Sequence, residues 1–408
     1  MALISARLTD NSIQGSVIRF FADNNRFSHL NNSKFTIFPG FCDVHVHFRE
    51  PGFVYKEDIY SGSMAAARGG YTAVCTMPNL NPVPDSEEHL KIQVDAINEK
   101  AKIALFPYAS ITQGQQGEQL SQLLLNGARV IAFSDDGKGV QNDNLMLQAM
   151  TIAKKHNAII VAHCEDNSLL RGGYIHDGDY AKAHGHKGIC SESEYGQIAR
   201  DIELAKKTGC KYHVCHISTK ESVDLIAKAK AEGVDITCET APHYLLLNDS
   251  CLQESGAFKM NPPLRSEEDR LALIEGIKNG TIDMIATDHA PHSAEEKSLG
   301  LAKSAFGIVG IETAFPLLYT YLVKNGVISI EKLLGLLTFN ARKRFNITTD
   351  LGFSVWDLGK QYVINPDEFL SKGKSTPFNG TLVNGENLLT VYNDRVIYKK
   401  DKSYGEEK

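Results

Sequence analysis

Short apolar, β-branched runs recur along the chain, and each closes on a polar residue or a turn: Phe41 to His47, Tyr71 to Met77, Ile103 to Ser110, Val130 to Ser134, Ala158 to His163, Lys211 to His216, Val234 to Glu239 and Ile282 to Thr287. Runs of this length and composition read as buried strands. The stretches between them are long enough for helices. Two carry apolar residues at helical spacing, Ser193 to Lys207 (Ile198, Ile202, Leu204, Ala205) and Glu221 to Lys230 (Val223, Ile226, Ala227). Strand and helix therefore alternate. Strands buried on both faces and joined by crossovers of about a dozen residues or more follow the rules of parallel sheets, and eight of them match a closed barrel. The expected fold class is α/β: a (β/α)8 TIM-type barrel over residues 40–344, with a small β-sheet domain formed by the N- and C-terminal segments, 1–39 and 345–408. An open doubly wound sheet is the rival, but no Gly-rich phosphate loop follows the first run. The terminal segments contribute strand-like runs at Val17 to Phe21, Phe35 to Phe38, Gly380 to Val383, Leu389 to Tyr392 and Arg395 to Tyr398.

Composition narrows the function classes. The 408 residues are 42% hydrophobic and 23% charged, the balance of a globular chain, and no apolar run nears the roughly 18 residues of a membrane helix. The net charge is −6 and basic residues do not cluster, so no nucleic acid partner is expected. Met1 to Phe21 lacks the features of a secretory signal, which predicts a cytoplasmic protein. The eight cysteines are scattered with no Cys-x-x-Cys pair, as buried free thiols of a reducing compartment would be.

In a barrel of this type the chemistry lies at the C-terminal ends of the strands. Here the first run ends Asp43-Val44-His45-Val46-His47, the fourth Ser134-Asp135-Asp136, the fifth at His163, the sixth at His216 and the eighth at Asp288. His45 and His47 are two residues apart, so on a strand both imidazoles face one side. Burying four imidazoles and two carboxylates together without a cation would cost several kcal/mol, so the set reads as a metal site. Imidazole with carboxylate and no thiolate suits Zn²⁺, with Mn²⁺ or Co²⁺ as alternatives. By strand parity Asp136 shares the interior face with Val130, Ala132 and Ser134, whereas Asp135 points to the helix layer with Ile131 and Phe133. His213 faces away from His216 and reads as structural, and Glu165 reads equally as an orienting acid or a solvated one. His176, His184 and His186 lie in an irregular stretch and are assigned no metal.

These residues also carry a family resemblance. Phe38-Pro39-Gly40-Phe41-Cys42-Asp43-Val44-His45-Val46-His47 resembles the Pro-Gly-x-x-Asp-x-His-x-His signature of the amidohydrolase superfamily. Phe48-Arg49-Glu50-Pro51-Gly52, Met77-Pro78-Asn79, Met260-Asn261-Pro262-Pro263-Leu264-Arg265, Thr287-Asp288-His289-Ala290-Pro291-His292 and Phe306-Gly307 narrow it to the dihydroorotases, specifically the class I bacterial branch. The resemblance spans residues 38 to about 345, although the N-terminal arm is shorter than is usual in the family.

The resemblance implies two Zn²⁺ per chain, bridged by Asp136 and a hydroxide. His45, His47, Asp136 and Asp288 would hold one ion, and Asp136, His163 and His216 the other. Many relatives bridge their metals with a carboxylated lysine; Asp136 takes that place here, and Lys138 lies past the turn. The implied reaction is the reversible, zinc-dependent cyclisation of N-carbamoyl-L-aspartate to dihydroorotate in pyrimidine biosynthesis, with Asp288 moving the proton. His47, Arg49, Asn79, Asn261, His292 and the backbone at Phe306 and Gly307 would contact the small-molecule substrate, Arg49 presenting its planar fork to the carboxylate. The competing readings are a related hydantoinase or allantoinase, and a metal-free structural partner of aspartate carbamoyltransferase. A homodimer and an association with that transferase are the partner expectations. The segment His292 to Ala305 reads as a long polar loop over the site, either a lid or a merely solvated loop.

Overall fold

The eight runs appear as parallel strands in chain order. In the computed structural model, which describes residues 6–400, Phe41–Val46, Tyr71–Thr76 and Ala104–Pro107 form one three-stranded sheet. Phe133–Ser134, Ile159–Ala162, Lys211–Val214, Ile236–Thr240 and Met284–Ile285 form a five-stranded one. Single parallel bridges join the two sheets at both margins, Ala109 to Phe133 and Val46 to His289. The fourth and eighth strands are only two residues long, shorter than their apolar runs.

Alternation sorts the side chains into two cores. Ile159 and Val161 point into a cluster of mostly small residues with Cys42, Val44, Ala73, Cys75, Ala132 and Met284. Ile160 and Ala162 point the other way, into the larger core shared with Phe41, Ile198 and Ile226. Fully burying each such aliphatic side chain contributes about 1.5–3 kcal/mol. The helices that cover this outer face start and stop where local chemistry dictates. Glu192–Thr208 ends at Gly209, whose φ of 67° suits the left-handed cap that follows a helix. Lys220–Ala231 begins at Thr219, whose hydroxyl accepts from the Ser222 amide.

Both chain ends contribute to a further five-stranded sheet, ordered Arg7–Leu8, Thr36–Pro39, Phe353–Val363, Leu382–Tyr392 and Arg395–Lys399. Residues 1–5 and 401–408 of the two terminal segments lie outside the described residues. Val17 to Phe21 is not a strand but part of the helix Gln14–Asp23. Val17, Phe20 and Phe21 recur at helical spacing and bury one face against Phe353 and Val355, which outweighs the strand preference of the individual residues. Leu382 and Val383 of the first run and all of Leu389 to Tyr392 belong to one long strand, Leu382–Tyr392, in which the intervening Asn384, Glu386 and Asn387 are buried despite their polarity, while Gly380 and Thr381 lie before it. The segment after His292 is not a plain loop either. It holds two single helical turns, Ala294–Lys297 and Gly300–Lys303, the first opened by a reciprocal capping box between Ser293 and Glu296.

Among the described residues no helix is long and apolar enough to cross a membrane. The cysteines are all free, six of them buried.

Candidate metal centre and active site

The first parallel strand changes register as it nears the site. Asp43 pairs with Val74 and Val46 with Thr76, so this strand spends three steps where its neighbour spends two. The extra residue is a bulge, a device that re-aims side chains. Cys42 and Val44 therefore enter the inner core, and beyond the bulge His45 and His47 reach the site, although the two pairs differ in parity. Asp43 holds the bulge, accepting from the His45 amide at 2.9 Å and from the Thr287 hydroxyl, just past the eighth strand, at 2.6 Å.

The structure brings His45, His47, Asp136, His163, His216 and Asp288 into one buried cluster. Asp136 is its hub: Oδ1 lies 3.4 Å from His45 Nε2, 3.6 Å from His216 Nε2 and 3.7 Å from His163 Nδ1, while Oδ2 lies 3.5 Å from His47 Nε2. Asp288 Oδ1 lies 3.1 Å from His47 Nε2 and 3.5 Å from His45 Nε2. His216 and Asp288 have positive φ, 31° and 47°, a conformation that non-glycine residues adopt at a cost and that clusters at functional sites. It turns both side chains off their strands and into the cluster. Asp135 points elsewhere, as parity requires, accepting from the amides of Ile111 and Thr112.

The outer partners set which ring nitrogen faces inward. His45 Nδ1 lies 2.7 Å from Glu239 Oε1, and His47 Nδ1 lies 2.9 Å from Asn79 Oδ1. Each Nδ1 donates to its acceptor, which leaves each Nε2 facing the centre. His213 is structural, spanning Thr237 Oγ1 at 2.8 Å and the second Glu239 oxygen at 3.1 Å. Burial opposes charge on His45, yet Asp136 and Glu239 hold its pKa well above the usual imidazole value. Burial likewise opposes ionisation of Asp136, and the facing histidines override it and hold that carboxyl well below its usual range. In Glu239 the same pull from His45 and His213 outweighs burial and brings the carboxyl to about 2.

A cation fits this arrangement. His45 Nε2 and Asp136 Oδ1 are buried at the centre of the cluster without hydrogen-bond partners, a costly state that a bound metal relieves. Two sets have donor atoms close enough to share an ion, His45 with His47 and Asp288, and His45 with Asp136 and His216. A third geometric set, His45 with Cys215 and Glu239, is poorer chemistry: burial keeps the Cys215 thiol protonated, and Glu239 already serves two histidines.

Above the cluster opens a cleft of about 210 Å³, and its walls include every residue expected from the sequence to contact substrate: His47, Arg49, Asn79, Asn261, His292, Phe306 and Gly307. Arg49 is buried, its Nε donating to the Pro291 carbonyl at 3.2 Å. Its Nη2 lies 3.3 Å from His292 Nε2, and His292 Nδ1 lies 3.1 Å from Glu296 Oε2. Burial, with Arg49 and Lys56 nearby, lowers His292 to about 3, so the neutral ring donates to Glu296 and accepts from Arg49. Asn79 is engaged at both ends of its amide, with His47 and with Asp136 at 3.5 Å. Asn261 donates to Glu165 at 3.0 Å, and its buried Oδ1 has no partner. Glu165 is thereby an orienting acid, 3.6 Å from His163 Nε2, and not a solvated one. The Gly307 amide is given to the Lys259 carbonyl at 3.1 Å.

Glu239, Glu296, Lys259 and Lys297 escaped the reading of the sequence. Glu239 had a usable signal, since it closes the seventh apolar run as the other site residues close theirs. The other three lie outside any run.

Solved structures share this architecture. The chain superposes on an L-hydantoinase (dihydropyrimidinase) from Arthrobacter aurescens with a TM-score of 0.80 at 24% identity, covering 90% of this chain and 86% of that one. A dihydropyrimidinase from Brevibacillus agri gives 0.77 at 21% identity, covering 90% and 85%. The chain thus shares the fold of these hydantoinase and dihydropyrimidinase structures. A family model described as Dihydro-orotase-like matches residues 35–222. The dihydroorotase of Fusobacterium nucleatum subsp. nucleatum is 52% identical over 367 residues, 88% of this chain and 86% of that one. That of Shouchella clausii is 48% identical over 397 residues, 95% and 93%. The chain belongs to the dihydroorotase family.

Proposed function

We propose that the chain is a dihydroorotase that interconverts N-carbamoyl-L-aspartate and dihydroorotate plus water in pyrimidine biosynthesis, with two Zn²⁺ at the cluster. The observation that carries this reading is one cleft with two differently built ends. Its floor holds two buried atoms in want of a cation, His45 Nε2 and Asp136 Oδ1, and its wall holds a buried guanidinium, Arg49, aligned by His292. The two parallel sheets bridged at both margins are read as one (β/α)8 barrel over 40–344, with the terminal segments as a small β domain beside it, which puts the cleft at the C-terminal ends of the strands.

His45, His47, Asp136 and Asp288 would hold one ion, and Asp136, His163 and His216 the other. When bound, the ions lower the pKa of water to about 7 and polarise the amide carbonyl. In ring opening, Asp288, ionised at neutral pH, takes a proton from the water that adds to the ring carbonyl. It delivers that proton to the ring nitrogen as the C–N bond breaks, so the nitrogen leaves neutral. Cyclisation is the reverse. Arg49 binds the substrate carboxylate through parallel N–H donors. The unpartnered Asn261 Oδ1 accepts from a ring N–H, and Phe306 covers the ring face.

Hydantoin ring opening is the second reading, favoured by the fold of the superposed structures. The buried Arg49 argues against it, because hydantoin carries no carboxylate to meet the guanidinium. The test is chelation: metal-stripped protein should lose dihydroorotate turnover and regain it with about two equivalents of Zn²⁺. Full turnover after stripping would defeat the proposal.

A further inference from the structure

Lys297 is buried, at 9% exposure, and among the described residues no carboxylate forms an ion pair with it. An ammonium so placed is expensive unless its protons are satisfied. All three find backbone carbonyls: Ala305 at 2.7 Å, Gly307 at 2.7 Å and Lys259 at 3.1 Å. The first two flank Phe306, and Phe306 and Gly307 form one wall of the cleft.

The same segment is held in a shape it would not take unaided. Gly307 has a φ of 125°, and a Cβ there would lie 2.8 Å from the Ala290 carbonyl oxygen, so the backbone packs directly on the strand-eight side of the cleft. Lys259 completes the clamp: its carbonyl accepts from the Gly307 amide and from Lys297, and its ammonium sits 4.5 Å from the centre of the Phe306 ring. Lys297 lies in the same helical turn as Glu296, whose carboxylate orients His292, a ring packed close enough to Gly307 that a Cβ there would lie 3.3 Å from its Cδ2.

We infer that Lys297 is a positioning residue for the substrate: it spends its buried charge on fixing the Ala305–Gly307 backbone as the wall against which the ring is bound. It touches neither the proton-transfer group nor the cluster, so its contribution falls on binding and not on the chemical step. This inference rests on the dihydroorotase reading.

The test compares wild type, Lys297→Met, which keeps length and loses the donors, and Lys297→Gln, which keeps two donors. Dihydroorotate kinetics are measured on metal-replete proteins, with amide hydrogen exchange over residues 303–309. Hydrogen bonds to a charged group are worth about 1.5–3 kcal/mol, so KM should rise about tenfold or more in the Met variant. We expect kcat within about twofold of wild type, faster exchange over 303–309, and an intermediate KM for the Gln variant. An unchanged KM in a folded variant overturns the inference, as does an equal fall in kcat. If neither variant folds, the role is purely structural and the inference also falls. Wild-type protein that leaves dihydroorotate untouched would instead overturn the functional reading on which it rests.

Discussion

Glu239 Oε1 lies 2.7 Å from Nδ1 of His45, and its other oxygen lies 3.1 Å from Nε2 of His213, so one buried carboxylate from the seventh strand orients a ring of the first strand while braced by a ring of the sixth. Partners of this kind fix the tautomer and raise the basicity of a ligating histidine, and their loss typically costs about 10- to 100-fold in metal affinity. Glu239→Gln should therefore weaken Zn²⁺ binding by that order in a chelator competition. Unchanged affinity would mean that His45 is oriented by something else.

Asp288 and Asp136 both line the cleft, and Asp288 follows the eighth strand, two residues before Ala290, which lines it too. Asp288→Asn removes the proposed proton carrier while keeping the shape. General acid–base groups contribute about 10²- to 10⁴-fold, so kcat should fall at least that far in both directions. A variant with near wild-type turnover would remove Asp288 from the proton path.

In the proposed function Arg49 acts on binding. Burial lowers its pKa to about 10, which leaves it charged at neutral pH. Arg49→Met should raise KM for dihydroorotate about tenfold or more, given about 1.5–3 kcal/mol for charged hydrogen bonds. Any hydantoin opening should be spared, because that substrate has no carboxylate. Equal losses on both substrates would show that Arg49 supports the cleft as a whole.

The cost of burying Lys297 also has a pH signature. Burial, with Lys259 nearby, lowers its pKa to about 7, while the neighbouring Glu296 pulls it back up. His292, Lys372 and Lys374 line the adjoining cleft. From about pH 7 up to the unfolded lysine value, the unfolded chain holds a proton that the folded chain has released. Stability from this group therefore rises with pH across that window, by about 1.4 kcal/mol per unit. In denaturant melts the wild type should gain stability relative to Lys297→Met between pH 7 and 9. A constant difference would show that the three carbonyls keep the ammonium protonated throughout.

Much of this site was legible in the sequence because strand ends announce themselves. His45, His47, Asp136, His163, His216 and Asp288 each close an apolar run, and alternation alone separated Asp136 from Asp135. The bulge that lets Val44 and His45 both face inward was not legible, since the apolar pattern does not record a two-against-one pairing. The helix Gln14–Asp23 was misread because Val17, Phe20 and Phe21 suit a strand individually and a helix only by spacing. Phe353–Val363 was missed because Asp357, Lys360 and Gln361 interrupt its alternation where it curls. Glu296 and Lys297 resemble ordinary surface charges in the sequence. Their roles depend on which carbonyls and rings the fold brings to them, and no local pattern carries that.

The central claim is that the cleft selects a cyclic amide bearing a carboxylate. The most direct measurement is the ratio of kcat/KM for dihydroorotate to that for hydantoin on zinc-replete protein. The structure predicts a ratio far above one, of at least the tenfold or more that one buried guanidinium contributes. Hydantoin opened as readily as dihydroorotate, or in its place, would contradict it.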